Sequence, residues 1–374
     1  MELVVNRTDL QTELQLCQAV VERRSTIPVL SNVLLRASGD RIDLTATDLD
    51  VTIEASCPAK IKEDGAITIE AKRFFDIVRS LPDDEVRLKL GDNDSIQLQS
   101  GSAVFRLLGR AAEDFPAIPE VDASRTFDVR FDDLKTMIEK VIFAITHEET
   151  RFQLNGALLK LNGSDMEMVA TDGHRMALIT YPQEGLDAPS DSPLKILIPR
   201  KALQEISKIE STGEETVRVG LAESHIFFET GSRRILARLI DVNFPNYNDV
   251  ISRDNDKRVT VDRERLLSTI RRVSLVSTER MRALKLEFEK GQLTVSSMSS
   301  DLGDAHETVP IEYSGPDFRI GLNATYVSDF LAATDTEKVV MDLRDEESQC
   351  IARPMGEDEL AYEYLYVIMP MKIS

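Results

Sequence analysis

At 374 residues the chain is longer than one hydrophobic core usually serves, so two or three domains are expected. Hydrophobic residues at 42% and charged residues at 29% fit a soluble globular protein, and no stretch approaches the roughly 18 apolar residues of a membrane helix. A net charge of −20 argues against a protein that wraps DNA with its outer surface, but leaves room for a local basic face in an acidic remainder.

The opening Met1-Glu2-Leu3-Val4-Val5-Asn6-Arg7 lacks the basic-then-apolar layout of a signal peptide, so a cytoplasmic location is expected, with no membrane association. An apolar face then runs through Leu10, Leu14, Cys17 and Val21, the spacing of an amphipathic helix. The stretch 41–48 alternates apolar and polar residues as a half-buried strand does, and ends in Ala46-Thr47-Asp48. A short helix with a basic start follows at 72–79, and the segment closes on Asp114-Phe115-Pro116.

The same order then recurs. Leu134, Ile138, Val141 and Ile145 repeat the first helical face. Met166 to Asp172 repeats the strand at a shift of 124 residues, with the same Ala-Thr-Asp ending. Residues 200–206 repeat the second helix, and Asn243-Phe244-Pro245 repeats the close. A third copy has Leu266, Ile270 and Val273, a weaker strand at 292–295, and a helix at 323–331. A period near 125 residues is too long for a solenoid and matches a whole domain. Three domains of one fold are therefore expected, at 1–120, 127–248 and 256–374, each an α+β unit with two helices and antiparallel strands. A Pro, Ser and Asp rich loop is expected at 184–193.

Basic residues recur on these helices. Lys72 and Arg79 stand seven apart beside Arg73, Lys201 and Lys208 beside Arg200, and Arg265 and Arg272 beside Arg271. Arg263 precedes the last of these helices, and the loops add Arg23, Arg24, Arg151, Arg280 and Arg282. A ring built from such repeats would gather them inside, giving sequence-independent, salt-dependent phosphate contacts. The helix at 325–333 carries no Lys or Arg and is a weak candidate for that lining.

Chemistry of other kinds is poorly supported. Cys17, Cys57 and Cys350 are far apart and odd in number, and the four histidines have no metal-ligand spacing, so no disulfide, metal or cofactor is expected. No G-x-x-x-x-G-K-[ST] loop occurs. Asp172-Gly173-His174-Arg175 offers acid–base groups, but without a nucleophile or carboxylate pair the reading is a non-catalytic one. A repeat-built protein-binding oligomer without DNA encirclement is the alternative to a DNA-encircling platform.

Several motifs, in register from 1 to 374, resemble the bacterial sliding clamps, the beta subunits of DNA polymerase III. They are Thr26-Ile27-Pro28-Val29-Leu30-Ser31-Asn32, Leu44-Thr45-Ala46-Thr47-Asp48-Leu49-Asp50, Leu154-Asn155-Gly156, Ala170-Thr171-Asp172-Gly173-His174-Arg175-Met176, Phe244-Pro245-Asn246-Tyr247 and Val367-Ile368-Met369-Pro370-Met371. The resemblance implies a DNA clamp fold and a homodimer closed head to tail into a ring. It implies duplex DNA inside, an ATP-driven clamp loader, and tethering of the polymerase III alpha subunit. Repair polymerases, ligase and mismatch-repair proteins are implied as further partners.

It also implies sites. A cleft for a short partner peptide maps to Leu154, Thr171, Gly173, His174, Arg175, Met176, Pro245, Val250, Asn323, Tyr326, Val367, Met369, Pro370 and Met371. Within it, Arg175 and Asn323 are expected to hold the peptide backbone or its Gln. DNA contacts map to Arg24, Lys72, Arg79, His147, Arg151, Phe152, Gln153, Arg200 and Lys201, with Phe152 and Gln153 replacing an aromatic pair of relatives. The ring seam maps to Arg73, Phe105 and Leu107 against Leu275 and Val276. Asp249 stands where some relatives carry a basic residue.

Overall fold

The fold is described from a computed structural model, over residues 1–21, 27–119, 125–148, 150–182, 194–209, 215–277, 282–299 and 301–372. The loop expected at 184–193 lies outside the described residues. Six α-helices are present among them: α1 Arg7–Val20, α2 Ala71–Ser80, α3 Phe131–Val141, α4 Arg200–Lys208, α5 Arg263–Val273 and α6 Ala324–Ala332. Among the described residues, no helix is long and apolar enough to cross a membrane.

Each expected helical face is found. In α1, Leu10, Leu14 and Cys17 are fully buried. The helix stops at Val20, which takes the last core position in place of the expected Val21. In α3 the buried line is Leu134, Ile138 and Val141, and Ile145 joins it after a 3-10 turn, Ile142–Ala144. Four helices start on side chains that satisfy free N–H groups: Asn6 caps α1, Glu70 caps α2, Asp262 caps α5 and Asn323 caps α6.

By packing, the chain groups into two compact units, residues 1–134 with 201–239, and residues 135–200 with 240–374. In the first unit an antiparallel sheet runs from the edge strand Ala103–Leu108 through Glu2–Asn6 and the long strand Val51–Glu63 to Arg233–Arg238 and on to Arg125–Arg130. Val51–Glu63 is the junction. Its first half pairs with Arg233–Arg238 (Ile53 opposite Ile235), and its second half pairs with Glu2–Asn6. In the second unit, Arg175–Pro182 does the same work by pairing with Glu363–Ile368. The strands alternate as antiparallel sheets with one covered face do: in Arg41–Thr47, Ile42, Leu44 and Ala46 point inward.

The Ala-Thr-Asp endings close hairpins in the same way. Thr47 Oγ1 accepts from Leu49 N at 3.1 Å, and Thr171 Oγ1 from Gly173 N at 3.0 Å. Asp48 Oδ1 accepts from the amides of Asp50 and Val51, as Asp172 Oδ1 does from those of His174 and Arg175. The turn demands a left-handed residue, and the φ values are +82° at Leu49 and +88° at Gly173. Glycine accepts that conformation freely, whereas leucine pays roughly 1–2 kcal/mol.

In the first unit a buried ion pair joins the segment 1–134 to the segment 201–239. Arg233 donates twice to Glu13 of α1, at 2.9 and 2.8 Å, with both side chains under 10% exposed. Arg233→Met strands the Glu13 carboxylate in the core and is expected to lower unfolding free energy by roughly 3–5 kcal/mol. Pairing it with Glu13→Leu should recover most of the loss. Urea unfolding of the three proteins measures this; an Arg233→Met variant as stable as wild type would show that the pair contributes little.

Candidate functional site

The second unit contains a mostly apolar cavity of about 150 Å³. Its floor comes from sheet pairing: Val367 lies opposite Met176, and Met176 opposite Thr171 across the hairpin. Leu154 closes one side at the end of the 3-10 turn Phe152–Leu154. Pro245, Asn246, Tyr247 and Val250 close another, on and before the turn Tyr247–Val250. Beneath it Leu158, Val169, Leu197 and Ile351 pack with Met176, Tyr247 and Val367 into one core cluster. Val367, Met176 and Leu154 are almost fully buried, while Val250 and Met369 are about 40% exposed and form the rim. This is an apolar socket with a movable methionine lip, which suits an apolar side chain arriving from solvent.

Nine of the fourteen residues implied for the peptide cleft line this cavity: Leu154, Thr171, Gly173, Arg175, Met176, Pro245, Val250, Val367 and Met369. The other five stand around it. His174 presents its carbonyl to the Met369 amide at 2.9 Å, and its side chain is exposed. The amide of Met371 donates to Gly321 O at 2.8 Å, so the segment with Pro370 is pinned to strand Phe318–Asn323. Asn323 spends its side-chain oxygen on the Thr325 amide as the α6 cap. Tyr326 stacks its ring 4.4 Å from the Arg175 guanidinium.

Arg175 is held from within. Its Nε donates to Asp172 at 3.0 Å, one terminal nitrogen to Phe143 O at 2.6 Å, and the other to Asp329 of α6. The side chain is 10% exposed, so it acts as a fixed wall. Asn246 and Tyr247 are lining residues that the sequence reading missed, although they lie in a motif it had singled out. An aromatic residue in a polar, Asn-rich loop was the available signal. The Tyr247 hydroxyl donates to Glu167, which also pairs with Lys160 at 3.3 Å. Burial, then that hydrogen bond, pushes the phenol well above its usual range, so it stays a donor.

The cations implied for DNA contact differ in availability. Arg24 lies outside the described residues. Lys72 is exposed on α2. Arg79 lies 3.6 Å from Asp76 and packs over the Phe75 ring. Arg200 donates to His147 Nε2 at 2.7 Å and to Ile145 O at 3.1 Å. Burial, then the Arg200 charge, holds the His147 imidazole below its usual range. Arg151 pairs with Glu148 at 2.9 Å and donates to Asp172 O at 3.0 Å. Beside it Phe152 is 66% exposed and Gln153 is exposed. Lys201 is turned inward: its ammonium is spent on Asp48 and on Val20 O.

At the implied seam, strand alternation sends neighbouring residues to opposite faces. Leu107 turns into the core at 8% exposure and Phe105 is half-buried, while Val104 and Leu108 project outward at 55% and 79%. Leu275 is 80% exposed, Val276 is half-buried, and Met298 and Leu302 are further exposed apolar residues. Arg73 pairs locally with Glu70 at 3.6 Å. Arg272 and then Thr269, both bonded to Glu307, draw its carboxyl down to about 2.

Models of the DNA polymerase III beta subunit match in order: the N-terminal domain at residues 1–119, the central domain at 128–246 and the C-terminal domain at 248–372. The beta sliding clamp of Pseudomonas aeruginosa is 34% identical over 376 residues, and that of Caulobacter vibrioides 35% identical over 381, each covering 100% of both chains. Among solved structures, the P. aeruginosa DnaN sliding clamp bound to griselimycin superposes with a TM-score of 0.92 at 33% identity. The beta subunit of Thermotoga maritima does so at 0.91 and 27%. Both superpositions cover the whole of each chain. The chain belongs to the DNA polymerase III beta subunit family, the beta sliding clamps.

Proposed function

We propose that this clamp encircles duplex DNA as a head-to-tail homodimer and tethers partner proteins by a short peptide seated in the Val367–Met176 cavity. The observation that carries the reading is that cavity, with a buried apolar floor and an exposed Val250–Met369 rim. A peptide with an apolar end would bury that end against Leu154, Met176 and Val367, and the flexible methionine lip would let one socket serve several partners. Those partners are the polymerase III alpha subunit, the clamp loader, repair polymerases, ligase and mismatch-repair proteins, met in the cytoplasm.

The three domains of the ring are taken at 1–120, 127–248 and 256–374. Lys72, Arg79 and the Arg151–Gln153 loop are the leading DNA contacts in this reading, and Arg24, outside the described residues, is included on the family resemblance alone. Arg200 and His147 act as a coupled pair. Lys201 is assigned a structural role because its charge is already neutralised. At the seam, the exposed Val104 and Leu108 join Phe105 on one side, and Leu275 with Val276 meet them from the other copy.

A fluorescent peptide ending Gln-x-x-Leu-Phe should bind saturably. Val250→Asp, a change on the exposed rim, should weaken it about 10-fold or more, equivalent to roughly 1.4 kcal/mol. Removal of residues 369–374 should abolish binding. An unaltered Kd in both variants would remove the cavity from the reading.

Loaded on closed circular DNA by a clamp loader with ATP, the protein should stay bound through a salt wash and fall off when the circle is cut. Equal release from circular and linear DNA would favour a protein-binding oligomer without encirclement, since purely electrostatic contact does not distinguish the two forms.

A further inference from the structure

We infer that Asp329, which is not among the residues lining the Val367–Met176 cavity, is a positioning residue for the peptide socket, acting through Arg175; this rests on the peptide reading above. The connection is a continuous run of bonds. Asp329 of α6 accepts from one terminal nitrogen of Arg175. The Nε of Arg175 donates to Asp172 Oδ2 at 3.0 Å. The other oxygen of Asp172 accepts from the His174 amide at 2.9 Å, and His174 O accepts from the amide of Met369, also at 2.9 Å. Asp329 thus stands at one end of a chain whose other end is the lip of the socket.

The geometry leaves Arg175 little alternative. Its guanidinium carbon lies 4.4 Å from the Tyr326 ring and 5.4 Å from the Phe143 ring, and its other terminal nitrogen is taken by Phe143 O. Behind these, Tyr366 stacks on Phe330 and lies 5.6 Å from Phe143. A guanidinium confined between aromatic faces keeps its place only while its charge is met on both sides. Asp172 meets it from the hairpin turn and Asp329 from α6. With Asp329 neutralised, the fork is drawn toward Asp172 alone. That carboxylate also shapes the turn carrying Gly173 and the His174 carbonyl, so the shift reaches the cavity wall and Met369. Asp329 therefore sets the shape of a site it does not touch.

The test is Asp329→Asn, of nearly equal size, measured with the Gln-x-x-Leu-Phe peptide on the full chain. Affinity should fall about 3- to 30-fold, the range of coupling through residues without ligand contact. Asp329→Glu, which keeps the charge, should recover most of it. In a double-mutant cycle with Met369→Ala, the two losses should be non-additive. A purely structural role would instead lower the thermal midpoint and leave the affinity of the folded protein unchanged. If Asp329→Asn does not fold, Asp329→Ser repeats the measurement. Absence of peptide binding to wild type would sink the peptide reading itself. Wild-type binding equalled by a folded, uncharged variant at 329, or additive losses in the cycle, would overturn the positioning role alone.

Discussion

Everything at the candidate site depends on one strand pairing. A strand edge left open in the core strands its N–H and C=O groups, so the sheet must continue from one repeat into the next. Here Arg175–Pro182 meets that need by pairing with Glu363–Ile368. The pairing sets Met176 opposite Val367, residues about 190 positions apart, and together they floor a socket that neither segment could form alone. Because the pairing ends at Ile368, the chain leaves the sheet at Met369, whose amide still bonds His174 O while its side chain reaches the rim. Register thus fixes the floor, and the end of the register fixes the lip.

The repeats also show how one device can be wired in two ways. In the first unit, the turn supplies the acid, Asp48, and α4 supplies the cation, Lys201. In the second, the turn supplies the cation, Arg175, and α6 supplies the acid, Asp329. The residues are not at equivalent positions: at a shift of 124, Arg175 answers to Val51 and Asp329 to Glu205, while Asp48 answers to Asp172 and Lys201 to Thr325. Both arrangements clamp a hairpin turn to the second helix of the following repeat. They differ at the turn residue, where Leu49 keeps a side chain and Gly173 has none. A Cβ at 173 would lie 3.2 Å from the Arg151 guanidinium, a contact the flexible end of that side chain can relieve, so the glycine answers chiefly to the backbone demand of the turn.

Much of this was legible in the sequence because repetition removes ambiguity. The faces through Leu10–Leu14–Cys17 and Leu134–Ile138–Val141 support each other, and the strands at 41–47 and 165–171 do likewise. The third repeat was harder to read, since its strand lacks the Thr-Asp ending. Ser299 there takes the aspartate's part, accepting from the amides of Asp301 and Leu302, so the chemistry persists while the letters change. What could not be read was which polar groups are already spent. Lys201 and Arg175 look available as letters, but their partners Asp48 and Asp329 are 153 and 154 residues away. The proposed seam is a subtler case. Leu107 and Leu108 are adjacent letters on one strand, and only the sheet's facing decides that Leu108 is the exposed one.

The distinction between spent and available charge bears on how an acidic chain could hold DNA without gripping it. Buried cations such as Arg175 and Arg233 are committed to carboxylates, and withdrawing them would leave uncompensated charge inside the protein. On α2 the pairs are of another kind: Arg73 to Glu70 and Arg79 to Asp76 are both 3.6 Å apart and exposed, a class worth about 0–1 kcal/mol. Exchanging such a carboxylate for a phosphate costs little in either direction. In the proposed ring, contacts made by cheap exchange hold the duplex by their number, weaken with salt, and present no single step deep enough to stop it from sliding.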